Sequence, residues 1–226
     1  MTGVWAVVPV KPLRGALRRL TSALEAPVRR ELQVVMLTDV LNACAGAPGL
    51  AGVMVVTSDP DAEDLATRLA RARVVPDHDP PRGMNAAVSR GLAAVAAEGA
   101  EAALVLTADL PLAQPADITA ILERRTEGRS VVLVPSADGT GTNAMLLSPP
   151  EALRPQLGPD SLARHTAQAT RRGLPLTRLS VPRLALDIDT PADLGVLMAG
   201  GGTCATLEAC TRLEMGLLLG VAASPL

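Results

Sequence analysis

Short β-rich runs alternate with longer helical runs along most of this chain, and this alternation constrains the fold more than any other feature of the sequence. The run at 102–107, A-A-L-V-L-T, is almost wholly apolar, as a central parallel strand covered on both faces should be. The other strands are predicted at residues 4–10, 50–58, 72–76, 130–135, 143–147 and 184–188. Helices are predicted at residues 27–44, 61–70 and 85–97, from 114, at 158–172 and from 190. This order predicts an α/β fold with three layers, α/β/α, around a mostly parallel, mixed sheet.

A chain of 226 residues is expected to form one domain and a short extension. Three consecutive glycines at 200–202 interrupt the last helical pattern, so we place a single domain at residues 1–200 and a C-terminal tail of unknown role at 201–226. Hydrophobic residues make up 48% of the chain, but Phe and Tyr are absent and Trp5 is the one tryptophan. The core must therefore be packed mainly from Val, Leu, Ala and Met.

The charge balance narrows the classes of partner. A formal net charge of −2 without a polybasic stretch argues against binding to nucleic acids or anionic membranes, and almost no aromatic side chain is present to stack on bases. The N-terminus lacks the basic segment of a signal peptide, and the apolar run at 215–223 is shorter than the roughly 20 residues that span a bilayer. We therefore expect a cytoplasmic protein whose partners are small molecules.

The loop after the first predicted strand carries several cations. It reads V-P-V-K-P-L-R at 8–14, with Pro9 at the strand end and Lys11 two residues later, and Arg18 and Arg19 follow. Ligands of open α/β sheets bind beyond the carboxyl ends of the strands, so this loop could present cations to a polyphosphate. Neither a P-loop nor a G-x-G-x-x-G motif follows this strand, which argues against a dinucleotide-dependent dehydrogenase. A surface turn with solvated arginines is the alternative.

Three aspartates fall at predicted strand ends. Asp109 follows the central strand, and Asp187 and Asp189 lie at and after the last predicted strand. Mg²⁺ takes hard oxygen ligands and is usually shared between one or two carboxylates and the phosphates of a substrate. Together with Lys11, these acids are candidates for a Mg²⁺ site, whereas each acid taken singly is as well explained as a turn or cap residue.

Glycines and hydroxyls mark further candidate anion sites. Asn85 opens a helix shortly after Gly83, where the backbone can approach a ligand, although an ordinary helix cap is the simpler explanation. The glycine-rich loop at 138–143, D-G-T-G-T-N, and the helix start at 158–161, G-P-D-S, offer hydroxyls and backbone amides. His165 lies one turn into that helix and, taken alone, is explained as a packing histidine.

Six segments, read in order, resemble one family closely. They are V-P-V-K-P-L (8–13), G-M-N-A-A (83–87), A-D-L-P-L (108–112), D-G-T-G-T-N (138–143), G-P-D-S-L-A-R-H (158–165) and L-D-I-D-T-P-A-D-L (186–194). The family is the phospholactate/phosphoenolpyruvate guanylyltransferases of coenzyme F-420 biosynthesis, a branch of the MobA-like nucleotidyltransferases. The resemblance covers residues 4–195 and implies a single Rossmann-like, GT-A-like nucleotidyltransferase domain.

The resemblance also implies transfer of GMP from GTP to a phosphorylated three-carbon acid, with release of pyrophosphate. The acid would be phosphoenolpyruvate, 2-phospho-L-lactate or 3-phospho-D-glycerate, the cofactor would be Mg²⁺, and a homodimer is one expected assembly. Carried over by position, the catalytic residues would be Lys11, Asp109 and Asp189, and the metal ligands would be Asp109, Asp189 and Asp187. The nucleotide would meet Pro9, Lys11, Gly83 and Asn85, and the phospho-acid would meet Thr142, Gly158 and Ser161.

One position departs from the family, whose first loop usually continues as A-K-S-R-L. This chain has A-L-R-R-L at 16–20, so Leu17 replaces a lysine, and Arg18 or Arg19 is the candidate substitute. Two other functions stay open: a MobA-like nucleotidyltransferase with another acceptor, such as a molybdopterin or a sugar phosphate, and a catalytically silent nucleotide-binding module. The paired motifs at 138–143 and 158–161 argue against the first.

Overall fold

A seven-stranded sheet forms the middle layer of the fold. The computed structural model describes residues 3–78 and 80–215 of the chain. Within them the strands are β1 (Val4–Pro9), β2 (Leu50–Val56), β3 (Arg73–Val75), β4 (Ala102–Leu106), β5 (Ser130–Pro135), β6 (Thr142–Ser148) and β7 (Leu176–Arg178). Their order across the sheet is β3-β2-β1-β4-β6-β5-β7. Strands β1 and β4 are buried along their whole length, because helices cover both faces of the sheet there.

Strand β6 runs against its neighbours. The first four strands pair in parallel, β6 pairs antiparallel with β4 and β5, and β7 is parallel to β5. The prediction of a mostly parallel, mixed sheet is confirmed. Since β6 is reversed, its first residues lie beside the carboxyl end of β4, where Ala144 pairs with Leu106. The hairpin loop before β6 therefore reaches the same edge of the sheet as the loops after β1 and β4.

Helices cover both faces of the sheet. The α-helices of residues 3–78 and 80–215 are α1 (Ala26–Gly46), α2 (Pro60–Ala70), α3 (Met84–Ala97), α4 (Pro115–Leu122), α5 (Ser161–Arg171), α6 (Pro182–Ala185), α7 (Pro191–Gly200) and α8 (Ala205–Arg212). One hydrophobic cluster joins the sheet to α1, α2 and α4, and a second joins it to α3 and α5. Side chains alternate along β1 between the two clusters: Val4, Ala6 and Val8 belong to the first, and Trp5 and Val7 to the second. The three-layer architecture is as predicted.

Several helices begin where the local sequence predicts a start. Gln114 and Thr190 each form a capping box with the aspartate three residues later. Helix α2 begins at Pro60 behind Asp59, whose carboxylate accepts hydrogen bonds from backbone N–H groups of the first turn. Of the helices described, none combines the length and the apolar character that crossing a membrane requires.

A third hydrophobic cluster lies on the side of α1 that faces α7 and α8. It combines buried side chains from all three helices, among them Leu32, Met36, Leu197 and Cys210. The short segment before α1 contributes Leu20 and Leu24 to the same cluster. The last two long helices are therefore part of the packed fold and not appended to its surface.

Helix α8 lies inside the segment predicted as a tail at 201–226. Asp39 of α1 fixes its start, because the Asp39 carboxylate accepts the backbone N–H groups of Ala205 and Thr206 at 2.9 and 3.0 Å. The Thr206 hydroxyl donates to the same carboxylate at 2.6 Å. The remainder of the predicted tail, 216–226, lies outside the described residues and includes nearly all of the predicted late apolar run.

The predicted strand at 184–188 is wrong. Pro182 starts the four-residue helix α6 there, and residues 186–189 continue without strand pairing. The side-chain amide of Asn143 in β6 donates to the carbonyl oxygens of the last two residues of α6, at 3.0 Å each. These side-chain hydrogen bonds, and not strand pairing, attach this segment to the sheet. Among the described residues the last strand is β7, which the sequence did not predict because the three residues L-T-R have mixed polarity and show no alternation.

Gly91 lets α3 pack directly on the sheet. A Cβ atom at this position would lie 2.5 Å from Val7 Cγ1 and 2.9 Å from Val56 Cγ2, and both valines are fully buried. Valine side chains are stiff, so relief would require the strands to move. We therefore expect Gly91→Ala to lower the free energy of unfolding by about 1–3 kcal/mol, despite the higher helix propensity of alanine.

Chemical denaturation measures this change. Gly200→Ala is the matched control, because a Cβ atom there meets open space at the end of α7. The control should change the free energy of unfolding by no more than about 0.5 kcal/mol. An unfolding free energy for Gly91→Ala at or above that of the unmodified protein would contradict the close approach of α3.

Candidate active site

Two open cavities adjoin at the carboxyl edge of the sheet. The first, of about 670 Å³, is lined mainly by residues 9–19 and 81–87, and we call it the loop cavity. The second, of about 570 Å³, is lined mainly by residues 136–143, 157–161 and 185–193, and we call it the hairpin cavity. Four residues line both cavities and mark their junction: Lys11, Arg19, Met84 and Asp189.

The loop cavity has a cationic wall. Four exposed cations contribute to it: Lys11, Arg14, Arg18 and Arg19. Asp59 holds the loop that carries them, because its Oδ2 accepts the backbone N–H of Leu13 at 2.8 Å. Pro9 and Gly83, which the resemblance assigns to the nucleotide, line the same cavity. The structure thus brings three of the four predicted nucleotide residues, including Lys11, to one cavity.

Leu17 stands where the resembled family carries a lysine. Its backbone is left-handed, with φ of 52°, and it caps a short 3-10 helix at Arg18–Leu20. Its side chain packs against the third hydrophobic cluster. The cations of this turn are therefore Arg18 and Arg19, which the 3-10 helix presents to the loop cavity.

The structure brings Asp109, Asp187 and Asp189 together in the wall of the hairpin cavity. The Oδ1 atom of Asp109 is buried and has no hydrogen-bond partner among the described residues. Burial, together with the charges of Asp187 and Asp189, raises the pKa of Asp109 to about 6. Burial also raises the pKa of Asp187. Asp189 is more exposed, and its Oδ2 accepts a hydrogen bond from Arg19 at 2.8 Å.

The side chain of Asn143 holds the acid-bearing segment on the sheet. Besides the two carbonyl oxygens of α6, its Nδ2 donates to Oδ1 of Asp187 at 3.1 Å. The backbone N–H of Ile188 donates to the carbonyl oxygen of Asp109 at 3.0 Å. Residues from three separate parts of the chain are thereby fixed in one cluster.

The chemistry of this cluster suits a cation that binds together with phosphate. Within residues 3–78 and 80–215, no group of three or more His, Cys, Asp or Glu side chains is arranged to hold a metal ion. Mg²⁺, however, usually takes one or two carboxylates and completes its coordination with water and substrate phosphates. The unpartnered Oδ1 of Asp109 is an oxygen that such an ion would satisfy. Asp109 with Asp189 or Asp187 could hold a cation of this kind.

The three residues that the resemblance assigns to the phospho-acid line the hairpin cavity together. Gly158 has φ of 113°, a conformation that favours glycine. Ser161 begins the eleven-residue helix α5 and so lies at the positive end of its dipole. Thr142 begins β6, and both hydroxyl-bearing residues are largely buried. An anion in this cavity would meet two hydroxyl groups and a helix N-terminus.

Other groups of the 138–143 loop are already occupied. The Asp138 carboxylate accepts the backbone N–H of Thr140 at 2.9 Å and its hydroxyl at 2.8 Å. The Ser136 hydroxyl donates to the same carboxylate at 2.6 Å, and these bonds lower the pKa of Asp138 to about 2. The Thr140 hydroxyl therefore donates within the loop, and the expectation that the loop offers its hydroxyls to an anion stays a prediction.

The side chain of Asn85 contacts the chain itself. Its Oδ1 accepts the backbone N–H of Leu157 at 2.7 Å, and its Nδ2 donates to the Leu157 carbonyl oxygen at 3.1 Å. Both polar groups thus hold the segment that leads to Gly158. Asn85 lines neither the loop cavity nor the hairpin cavity, and the predicted nucleotide contact of Asn85 stays a prediction.

Three residues of the site had no predicted functional role, although His165 was explained as a packing histidine. Asp77, two residues after β3, lines the loop cavity. Asn143 holds the acid-bearing segment, and His165 is fully buried with both ring nitrogens hydrogen-bonded. Asp77 follows a predicted strand much as Asp109 does, and that signal could have found it. Asn143 and His165 fall within two of the six family segments, but those segments did not reveal their roles, because their hydrogen-bond partners lie 9 to 44 positions away.

We expect Asn143→Asp to weaken both the fold and the site. A carboxylate would face two carbonyl oxygens and the Asp187 carboxylate, at the place where the amide now donates. Losing these buried hydrogen bonds should lower the free energy of unfolding by about 1–3 kcal/mol. Thermal unfolding measures this, and Asn42→Asp, at an exposed position of α1, is the control. An unfolding free energy equal to that of the control would show that Asn143 does not hold the segment.

Comparison with known proteins shows the family of this chain. Residues 4–217 match the family described as guanylyl transferase, CofC-like, so the match extends past the motifs above and includes α8. The phosphoenolpyruvate guanylyltransferase of Conexibacter woesei is 43% identical over 195 residues, which cover 85% of this chain and 86% of that protein. The phosphoenolpyruvate guanylyltransferase of Rubrobacter xylanophilus is 44% identical over 199 residues, covering 88% and 95%.

The fold is shared with solved nucleotidyltransferase structures. A nucleotidyl transferase from Methanothermobacter aligns with a TM-score of 0.60 over 88% of this chain and 97% of that one, at 21% sequence identity. At this identity the likeness shows the fold alone, and the predicted nucleotidyltransferase fold is confirmed. Given a family match that spans nearly the whole described chain, and relatives above 40% identity, this chain belongs to the CofC-like guanylyl transferase family.

Proposed function

We propose that this protein transfers GMP from GTP to phosphoenolpyruvate and releases pyrophosphate, as a step of coenzyme F-420 biosynthesis. The observation that carries the proposal is the pair of adjoining cavities, one with a cationic wall and one with hydroxyl groups and a helix N-terminus, with Lys11 and Asp189 at their junction. The names of the two relatives support phosphoenolpyruvate over 2-phospho-L-lactate and 3-phospho-D-glycerate as the acceptor. The pathway is the one that the family implies.

GTP occupies the loop cavity in this proposal. Lys11, Arg14 and Arg18 supply positive charge for the triphosphate, since hydrogen bonds between ionised donors and phosphate are the stronger kind. Arg18 takes the place of the lysine that Leu17 replaces. A guanidinium can donate two parallel hydrogen bonds to a phosphate, whereas an ammonium acts as a compact point charge. The triphosphate contact at this turn therefore has a different geometry from the contact that a lysine would make.

The phospho-acid occupies the hairpin cavity, with its phosphate near Thr142, Gly158 and Ser161. An oxygen of that phosphate attacks the α-phosphorus of GTP, the bond from the α-phosphorus to the bridging oxygen breaks, and pyrophosphate leaves with that electron pair. The nucleophile is already anionic, so no side chain is needed as a general base. The protein contributes the alignment of two substrates and the neutralisation of charge.

Asp109 and Asp189 are the residues we propose to hold Mg²⁺, with Asp187 beside them. When bound, this ion would neutralise charge on the triphosphate and polarise the phosphoryl group that is transferred. The buried, unpartnered Oδ1 of Asp109 supports the assignment. A cation that takes Oδ2 of Asp189 would displace the hydrogen bond from Arg19 and leave that guanidinium free for a phosphate.

Asp77 is the candidate for recognising guanine. It lines the loop cavity together with Pro9 and Val10. A carboxylate only accepts hydrogen bonds, and the pairing edge of guanine presents two adjacent donors, N1–H and the N2 amine, whereas adenine presents one donor beside an acceptor. One carboxylate oxygen of Asp77 accepts the backbone N–H of His78 at 2.7 Å, which limits how the carboxylate can turn.

The proposal also includes a cellular location and an oligomeric state. GTP and phosphorylated three-carbon acids are made in the cytoplasm, so we place the reaction there. A homodimer stays a prediction, and analytical ultracentrifugation at micromolar concentration tests it.

Pyrophosphate release tests the function. The protein is incubated with GTP and Mg²⁺ and with each of the three acids in turn, and ATP replaces GTP as the control. We expect release with phosphoenolpyruvate and GTP, and none when the acid is omitted. Release with another of the acids would keep the reaction and change the acceptor. No release with any acid would favour another acceptor or a nucleotide-binding module.

We expect Asp109→Asn to lower kcat about a hundredfold or more, because a charge that stabilises the transition state is lost. The same change should raise the free energy of unfolding of the ligand-free protein by roughly 1–3 kcal/mol, since a carboxylate whose pKa is raised by burial becomes a neutral amide. Turnover assays and thermal unfolding measure the two effects. The control is Asp64→Asn, which removes a carboxylate that lies exposed on α2. Near-normal turnover of the Asp109 variant would remove Asp109 from the proposed metal site.

Asp77→Asn should reduce the preference for GTP over ATP. An amide can donate toward the base, so the match to two adjacent guanine donors is lost, and we expect the ratio of kcat/KM for the two nucleotides to fall about tenfold or more. The Asp64→Asn variant again serves as the control. An unchanged ratio would show that guanine is recognised elsewhere in the loop cavity.

A further inference from the structure

His165 lies directly behind the part of the hairpin cavity assigned to the phospho-acid. It belongs to the second turn of α5 and is fully buried. Its Nε2 lies 2.9 Å from the backbone nitrogen of Gln156, and its Nδ1 lies 3.1 Å from the hydroxyl oxygen of Thr142. Thr142 itself lines the cavity. His165 is thus one hydrogen bond away from any ligand that Thr142 contacts.

The direction of each hydrogen bond follows from the chemistry of its donor. A backbone N–H can only donate, so Nε2 of His165 accepts from Gln156 and carries no proton. Burial, together with the charge of Arg164, lowers the pKa of His165 to about 4, and the ring is therefore neutral at neutral pH. A neutral imidazole keeps one proton, which must then be on Nδ1. The Nδ1–H group therefore donates to the Thr142 hydroxyl.

The hydrogen bond from His165 determines whether the Thr142 hydroxyl can donate to a ligand in the hairpin cavity. A hydroxyl oxygen that accepts from Nδ1–H keeps its own proton for another acceptor. The structure records one hydrogen-bond partner for this hydroxyl among the described residues, and that partner is His165. Phosphate and carboxylate oxygens only accept, so the remaining proton has the right polarity for a phospho-acid. With the opposite tautomer, the Thr142 proton would go to Nδ1 and only lone pairs would face the anion.

The same ring also fixes the chain segment that leads to Gly158. His165 holds the N–H of Gln156, and the side chain of Arg164 donates to the carbonyl oxygen of Gln156 at 3.1 Å. Asn85 of α3 holds the next residue, Leu157, through both of its polar side-chain groups. The segment is therefore anchored from two helices at once.

We propose that His165 is a positioning residue for the phospho-acid: as the Nδ1–H tautomer it directs the Thr142 hydroxyl proton toward the acid and anchors the segment before Gly158. The proposal deepens the function proposed above and rests on it for the identity of the acceptor. His165 does not touch the substrate and takes no proton from it.

The tautomer of His165 is measured directly by NMR of protein labelled with ¹⁵N-histidine. The chain has two histidines, His78 and His165, so the spectrum is simple, and the His165→Gln variant assigns the signals. We expect His165 to show a protonated Nδ1 and an unprotonated Nε2 at neutral pH. A protonated Nε2, or a doubly protonated ring, would overturn the proposal. This measurement needs no substrate, so it separates a failure of this proposal from a failure of the proposed function.

Two substitutions separate the two contacts of the ring. The amide of asparagine reaches about as far as Nδ1 and keeps a donor for Thr142, whereas the amide of glutamine reaches about as far as Nε2 and keeps an acceptor for Gln156. We expect His165→Gln to raise the KM for the phospho-acid about tenfold and to leave the KM for GTP unchanged. His165→Asn should raise the KM for the acid less than His165→Gln does.

The Thr142→Val variant tests whether His165→Gln acts on the KM for the acid through the Thr142 hydroxyl. Without the hydroxyl, His165→Gln should change the KM for the acid no further, because the two residues act through one hydrogen bond. An undiminished effect in the Thr142→Val background, or an equal rise in the KM for GTP, would show that His165 acts on the fold in general and not on Thr142.

Discussion

The arrangement of the candidate active site depends on the hydrogen bonds that the side-chain amide of Asn143 donates. Strand β6 holds Asn143 beside the end of β4, and its amide reaches two carbonyl oxygens of α6 and the carboxylate of Asp187. The segment after α6 pairs with no strand, so this amide and the backbone bond from Ile188 to Asp109 keep the acids together. An amide is suited to the task because its two N–H groups can be shared among oxygens of α6 and Asp187 that lie within about 3 Å of Nδ2.

Placing Asp109, Asp187 and Asp189 close together costs electrostatic free energy. Asp109 has a buried oxygen without a partner, and its raised pKa reflects both burial and the nearby carboxylates. A buried charge without a partner destabilises a fold, so the surroundings must offset it. Here the apolar strands β1 and β4 and the hydrophobic clusters on both faces of the sheet supply that stability. If a cation binds here as proposed, it would reduce this cost, and substrate binding would then stabilise this edge of the sheet.

Short-range signals accounted for most of the architecture. The apolar run at 102–107, the capping box at Thr190 and the glycine-rich turn before β6 each predicted the element that the structure contains, because each signal depends on a few neighbouring residues. The predicted strand at 184–188 failed because a residue 41 positions earlier stabilises a helix and an irregular segment there. Helix α8 is fixed by Asp39, 166 positions before it, so its packing could not be read from the segment itself.

The sequence by itself determined the α/β class, the family and the set of loops that meet at the carboxyl edge, including those of Lys11 and Asp109, because strand periodicity and motif order are local properties. Only the tertiary structure decided how the polar groups are used. Asn85 binds the backbone of Leu157, and His165 supports Thr142 from within the core. The physical reason is that a hydrogen-bond partner depends on which distant segments the fold brings within about 3 Å and which of them it removes from water.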